Sequence, residues 1–381
     1  MNRLVIIGNG FDLAHGLKTS YKDFIRWYLK EFFKEYFENH KAYQEDKLLK
    51  FEREISYDPQ TGQIPFDTNE YSAYSLNDKE KEPWTFLDEI KNINLSKIKV
   101  DECILLKRIL KNIDKEWHGI ESDYYALLKE NADNNETCKS LNNQMDFLRD
   151  KLAEYLNEQK IEADIVGVKF IIDSNVKIDD IAIRTNKIGH VIFKNQQDNG
   201  YEVERTMLLD FNYTSTSDKY KISDKITVIH IHGSLSNPKQ MIFGYGDEMD
   251  KDFQELEDRN DNELLKNIKS IKYLEDNSYR QLLQFIEGAP FQVYIMGHSC
   301  GNSDRTLLNT IFEHENCISI KPFYHVKGKG EDDYSDISSN IYRNFKNKVL
   351  YRDRVMKKPQ CEPMPQVEKK EDENNVTESG K

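Results

Sequence analysis

Thr206–Leu235, TMLLDFNYTSTSDKYKISDKITVIHIHGSL, is the stretch on which the fold turns. It holds two short apolar runs, Met207–Phe211 and Ile226–Ile231. The first leads into Asn212-Tyr213-Thr214, the second into His232-Gly233-Ser234. Short apolar runs bounded by turn formers read as buried strands. As parallel neighbours they would place Asn212 and His232 side by side at the carboxyl edge of a sheet, where open α/β sheets hold ligands. About a dozen residues separate the runs, near the minimum for a parallel crossover. An antiparallel pair would put the two side chains at opposite ends. The parallel reading is favoured because the chain opens and closes with the same strand-then-glycine pattern.

At the amino end, Arg3–Ile7 (RLVII) reads as a parallel-sheet strand broken by Gly8-Asn9-Gly10-Phe11-Asp12. Glycines there let the backbone approach a ligand, with helix amides available for phosphate. An ordinary strand-to-loop turn is the alternative, because Leu13 stands where G-x-G-x-x-G has its third glycine. Towards the carboxyl end, Met241–Phe243 and Phe291–Met296 predict further strands, as does Cys317–Tyr324. The second of these breaks into Gly297-His298-Ser299-Cys300-Gly301-Asn302-Ser303-Asp304 before a helix from Arg305. Between Ile161 and Arg205, VGVKFII, DIAIRT and HVIFKN read as short strands.

The expected organisation has four parts. Residues 1–30 carry the first strand, glycine loop and helix of an α/β domain. Residues 31–160 form a helical insertion or lid, 161–355 complete the α/β domain, and 356–381 are a disordered, Pro- and charge-rich tail. Within the insertion Glu121 is either turned into a cleft or, more commonly for a helix glutamate, solvated.

A chain of 381 residues is long enough for a sizeable core, and a net charge of -13 argues against a general nucleic-acid binder. No run approaches the roughly 20 apolar residues of a membrane span. The five cysteines, Cys103, Cys138, Cys300, Cys317 and Cys361, have no close pair, which fits a reducing compartment and a cytoplasmic protein. No metal site is expected: His230 and His232 share a strand face, but no carboxylate or thiolate cluster lies near them in sequence.

An amide beside an imidazole suits cleavage of a ribosyl bond: asparagine orients a ribose hydroxyl or water, and histidine accepts its proton. The plain alternative is a turn asparagine and a strand-end histidine. Gly297-His298-Ser299-Cys300-Gly301 also matches the G-x-S-x-G nucleophile elbow, and a serine hydrolase would then draw on Asp304, His314 or His325.

The motifs LVIIGNGFDLAHGLKTSYKDF, LDFNYTST, IHIHGSL, IFGYGD and IMGHSCGNSD resemble the AbiH family of bacteriophage abortive-infection proteins over residues 4 to about 325. Their order is more distantly similar to sirtuin-like NAD-consuming antiphage domains. That resemblance implies a Rossmann-like (sirtuin-like), mostly parallel sheet with a large helical insertion. It implies Asn212 and His232 as the catalytic pair, with Gly8, Asn9, Gly10, Phe11, Asp12, Gly233, Gly297, Ser299 and Asp304 around a nucleotide. Gly8 and Gly10 would cradle phosphates. Asn9 and Asp12 depart from the Ala and Ser of a sirtuin loop, and the zinc-binding cysteine module is missing, so protein deacylation is not expected. The expected substrate is NAD or a related nucleotide, with no cofactor required. A non-catalytic nucleotide sensor, or a partner of another effector, is the alternative. A phage-encoded trigger and a homo-oligomer are the other expected partners, and no membrane contact is expected.

Overall fold

This computed structural model describes residues 1–39, 43–52, 98–99, 103–113, 119–160, 164–181, 202–328 and 330–367. In chain order the strands are β1 (Asn2–Ile7), the short β2 (Tyr43–Glu45), β3 (Lys50–Glu52) and β4 (Ile98–Lys99), then β5 (Thr206–Asp210), β6 (Ile226–His230), β7 (Phe291–Met296) and β8 (Cys317–Phe323). A hairpin of β9 (Val326–Gly328) and β10 (Glu331–Asp332) follows.

The central sheet runs β6-β5-β1-β7-β8, and each of its pairings is parallel. The expected parallel pair is therefore present, and its register aligns the carboxyl ends. Ile7 lies opposite both Asp210 and Met296, and Asp210 lies opposite His230. The residues just past each strand consequently share one edge. The chain steps outward from β1 to β5 and β6, then returns to the other side of β1 for β7 and β8. Such a reversal leaves a crevice at the strand ends between diverging loops.

Side chains of β1 alternate between two apolar layers, as a strand covered on both faces requires. Leu4 and Ile6 join Leu282 and Ile286 of a helix at Ser278–Gly288, together with Leu308 and Ile311 of the helix Arg305–Phe312. Val5 and Ile7 join Val168, Ile172, Tyr220 and Met364 on the opposite face.

Helices of the amino-terminal half are α1 (Asn9–Ala14), α2 (Tyr21–Asn39), α3 (Ile104–Asn112), α4 (Ile120–Glu130) and α5 (Asn135–Glu158). Buried residues of α2 to α5 form one core with Phe243, Tyr245, Phe253 and Ile268. The insertion is not helical throughout, since β2, β3 and β4 form a small antiparallel sheet inside it. Helix α2 also continues unbroken past residue 30. No helix among the described residues is long and apolar enough to cross a membrane.

Three expectations need correction. VGVKFII (Val166–Ile172), expected as a strand, lies in helix α6 (Val166–Asp173). Ile165, Val168 and Ile172 recur at helical spacing and bury one face, and the Arg3 guanidinium receives the helix end by donating to the Ile171, Ile172 and Ser174 carbonyls at 3.1, 3.0 and 2.6 Å. Most of DIAIRT and all of HVIFKN lie outside the described residues. Met241–Phe243, expected as a strand, forms none: Met241 is extended, but no strand among the described residues pairs with the segment. The Ile242 amide donates to the His232 carbonyl (2.8 Å), and pairing resumes only as a single bridge from Tyr245 to Ile268. The segment expected to be disordered from residue 356 instead packs through Val367, burying Met356, Cys361 and Met364 and donating from the Val367 amide to the Ala14 carbonyl (2.9 Å).

Candidate active site

The strand ends open onto a cavity of about 560 Å³. Gly8, Asn9, Gly10, Asp12, Asn212, His232, Gly297, Ser299 and Asp304 all line it, so nine predicted positions meet at one place. Phe11 and Gly233 are not in its wall. Phe11 is buried against the rings of His15 and Tyr220. Gly233 has φ +78, and a Cβ there would meet the Gln240 carbonyl oxygen at 2.6 Å, so its role is to close the turn.

Asn212 sits past β5 with its backbone amide on Asp210 Oδ1 (2.8 Å) and its side-chain Nδ2 on the Gly8 carbonyl (3.0 Å). The side-chain amide is thereby oriented, with Oδ1 as its remaining acceptor. His232, past β6, is 4% exposed and directs Nε2 at Asp304 Oδ1 (3.2 Å) and the Tyr273 hydroxyl (3.1 Å). An ionised carboxylate only accepts, so Nε2 carries the proton and Nδ1 is the basic nitrogen. Burial, then the nearby Lys269 ammonium, pushes the His232 imidazole down to about 4 against the pull of Asp304.

Asp304 is the hub of the site. Lys269 Nζ donates to its Oδ1 at 2.8 Å, His298 Nε2 stands 3.6 Å from Oδ2, and Ser303 Oγ donates to Oδ2 at 3.3 Å. Burial alone would raise this carboxyl, but Lys269 and His232 outweigh it and hold the group well below the usual carboxylate range. Lys269 also donates to Glu121 Oε2 (3.0 Å), and Glu121 Oε1 accepts from the Gly244 amide (3.2 Å). Burial is the main influence raising the Glu121 carboxyl, opposed by Lys269. Glu121, for which sequence favours solvent over a cleft, is instead buried in the site and brings α4 to the sheet edge, because Lys269 and the Gly244 amide reach it there.

The glycine loop has a tighter explanation than ligand approach. A Cβ on Gly8 would lie 2.6 Å from His298 Cα, and one on Gly297 would lie 2.1 Å from the Phe11 nitrogen. The amides of Gly8, Gly10 and Phe11 already donate to the carbonyls of Met296, Gly297 and Gly8, at 3.2, 2.8 and 2.8 Å. These glycines let the loops after β1 and β7 pack backbone against backbone.

Among the described residues the nucleophile-elbow serine has no hydrogen-bonded base, although His325 lines the same cavity with its Nδ1 2.7 Å from Gln366 Nε2. His298 Nδ1 accepts from the Cys300 amide (2.9 Å) while Nε2 faces Asp304, and among the described residues no histidine is hydrogen-bonded to Ser299 Oγ. His230 turns away from His232 and lies 3.7 Å from Asp210 and 3.3 Å from Asp218. Among the described residues no group of three or more His, Cys, Asp or Glu side chains is placed to hold a metal ion. Lys269, Tyr21 and Tyr213 also line the cavity and were not anticipated. Lys269 lies in an acidic, helix-prone stretch where nothing local separates it from its neighbouring lysines.

A family model described as bacteriophage abortive infection AbiH matches residues 4–325, and no curated protein matches the chain. The matched span contains Asn212, His232, Asp304, Lys269 and Glu121.

Proposed function

Since the chain belongs to the AbiH family of bacteriophage abortive infection proteins, we propose that its cavity binds NAD or a related nucleotide and cleaves the N-glycosidic bond. The observation that carries this reading is that Asn212 and His232, at the ends of adjacent parallel strands, face one cavity with Asp304 behind the histidine. The central strands, counted along the chain, lie in the order 3-2-1-4-5. This order supports a Rossmann-like sheet, whose crevice takes nucleotides.

In the proposed reaction the C–N bond to the sugar breaks and its electron pair leaves with the base. Water attacks the oxocarbenium-like carbon, and Nδ1 of His232 takes a proton from that water. Asn212 Oδ1 orients the water or a ribose hydroxyl. Asp304, held ionised by Lys269, offsets the charge that His232 gains. The test is nicotinamide release by the purified protein. His232→Ala should lower turnover by at least about a hundredfold, the usual scale for a lost acid–base group. Absence of both turnover and bound nucleotide in the wild type would sink the proposal.

One observation favours a second reading, a nucleotide sensor without catalysis. An imidazole pushed down to about 4 is a weak base at neutral pH. A sensor would retain nucleotide while cellular NAD stays level during infection. An enzyme would deplete NAD and lose that effect in His232→Ala.

A further inference from the structure

We propose that the cavity receives the positively charged base of its ligand, an N-ribosylated heteroaromatic cation, against Asp304 and Glu121, and does so without a phosphate clamp. The inference rests on the proposed function and names the substrate class for the same site.

Four observations carry it. The first is charge. Asp12, Glu121, Asp304 and Asp333 line the cavity; among the described residues Lys269 is the one lysine in the wall, and no arginine lines it. The Lys269 ammonium is already shared between two of those carboxylates, at 2.8 and 3.0 Å. An entering phosphate would therefore meet a wall richer in carboxylates than in cations. The second is the glycine loop, whose Gly8, Gly10 and Phe11 amides are bonded to protein carbonyls and not free for an anion. The third is Asp12, which is 1% exposed. Thr214 donates to its Oδ2 at 2.7 Å, while Oδ1 has no hydrogen-bond partner among the described residues. That oxygen is itself buried, so Asp12 adds a carboxyl group behind the wall and not an acceptor open to the ligand. The fourth is aromatic. Phe211, Tyr21 and Tyr213 line the cavity, and the negative faces of such rings attract cations. As the base departs, positive charge moves onto the sugar, and the same carboxylates would stabilise it there.

The test is calorimetric titration of the full chain with three probes: the N-methylnicotinamide cation, neutral nicotinamide and inorganic pyrophosphate. The cation should bind roughly tenfold more tightly than nicotinamide, and pyrophosphate should not compete. Asp304→Asn should abolish the preference. Glu121→Gln should weaken it and keeps the test open if Asp304→Asn does not fold. Equal or tighter binding of nicotinamide, competition by pyrophosphate, or no binding of the cation by folded wild type would each overturn the inference. Cation preference without NAD turnover would count against cleavage alone. NAD turnover without cation preference would count against this inference alone.

Discussion

His232 shows how position converts an ordinary histidine into a stability switch. Its usual value of 6.5 falls to about 4 because the imidazolium would be buried beside the Lys269 ammonium. Between those values the unfolded chain binds a proton that the folded protein refuses. The contribution is therefore fully present above pH 6.5 and drains away as the pH falls towards 4. At ~1.4 kcal/mol per tenfold change in proton affinity, the loss amounts to roughly 3 kcal/mol. Asp304, held well below its usual range, extends the same trend to lower pH. Urea midpoints at pH 7 and pH 5 should differ for wild type, and His232→Gln should narrow the gap. An unchanged gap would refute the assignment. The residue types at this edge were legible in sequence because a polar side chain ending a buried run is conspicuous. The direction in which each ring nitrogen points was not, because Asp304 and Tyr273 reach His232 from other loops.

At the scale of elements, the contact between the loops after β1 and β7 is the tightest constraint on the site. Gly297 has φ +74 and sits against the Phe11 nitrogen, so Gly297→Ala combines backbone strain with a collision between main chains. It should cost several kcal/mol, on the order of 3 or more, read as a lowered denaturation midpoint. Gly288, the last residue of the helix Ser278–Gly288, has open space where an added methyl group would stand, with nothing within 4 Å among the described residues, and is the matched control. Gly288→Ala should be neutral or stabilise by up to about 1 kcal/mol. Similar costs at both positions would refute the packing explanation. Elements with strong local signals were read well: β1, β5, β6, β7 and β8 are compact apolar runs ending in turn residues. Helix α6 was misread because Val166-Gly167-Val168 is rich in strand formers. Its helical form is supported by distant partners, with Arg3 at its carboxyl end and the sheet under Val168 and Ile172.

For the whole molecule, the decisive contact joins the helical half to the sheet. Lys269 is 1% exposed and sits between Glu121 of α4 and Asp304 of the loop after β7. Lys269→Met would leave two buried carboxylates facing each other and should cost about 3–5 kcal/mol. Adding Glu121→Gln should recover part of that loss. A single variant as stable as wild type would show that the two halves do not depend on this tie. The sequence by itself determined the α/β class of the fold and that Asn212 and His232 each end a buried run. Those follow from local runs of apolar residues and the turns that end them. The sequence favoured the parallel central pair, which the sheet pairing then decided against the antiparallel alternative. The tertiary structure alone decided that Glu121 and Lys269, 148 residues apart, share a buried ion pair in the cavity wall. A glutamate on a helix and a lysine among lysines carry no local mark of burial, because their ionised state is tolerable there only once packing has brought the opposite charge within reach.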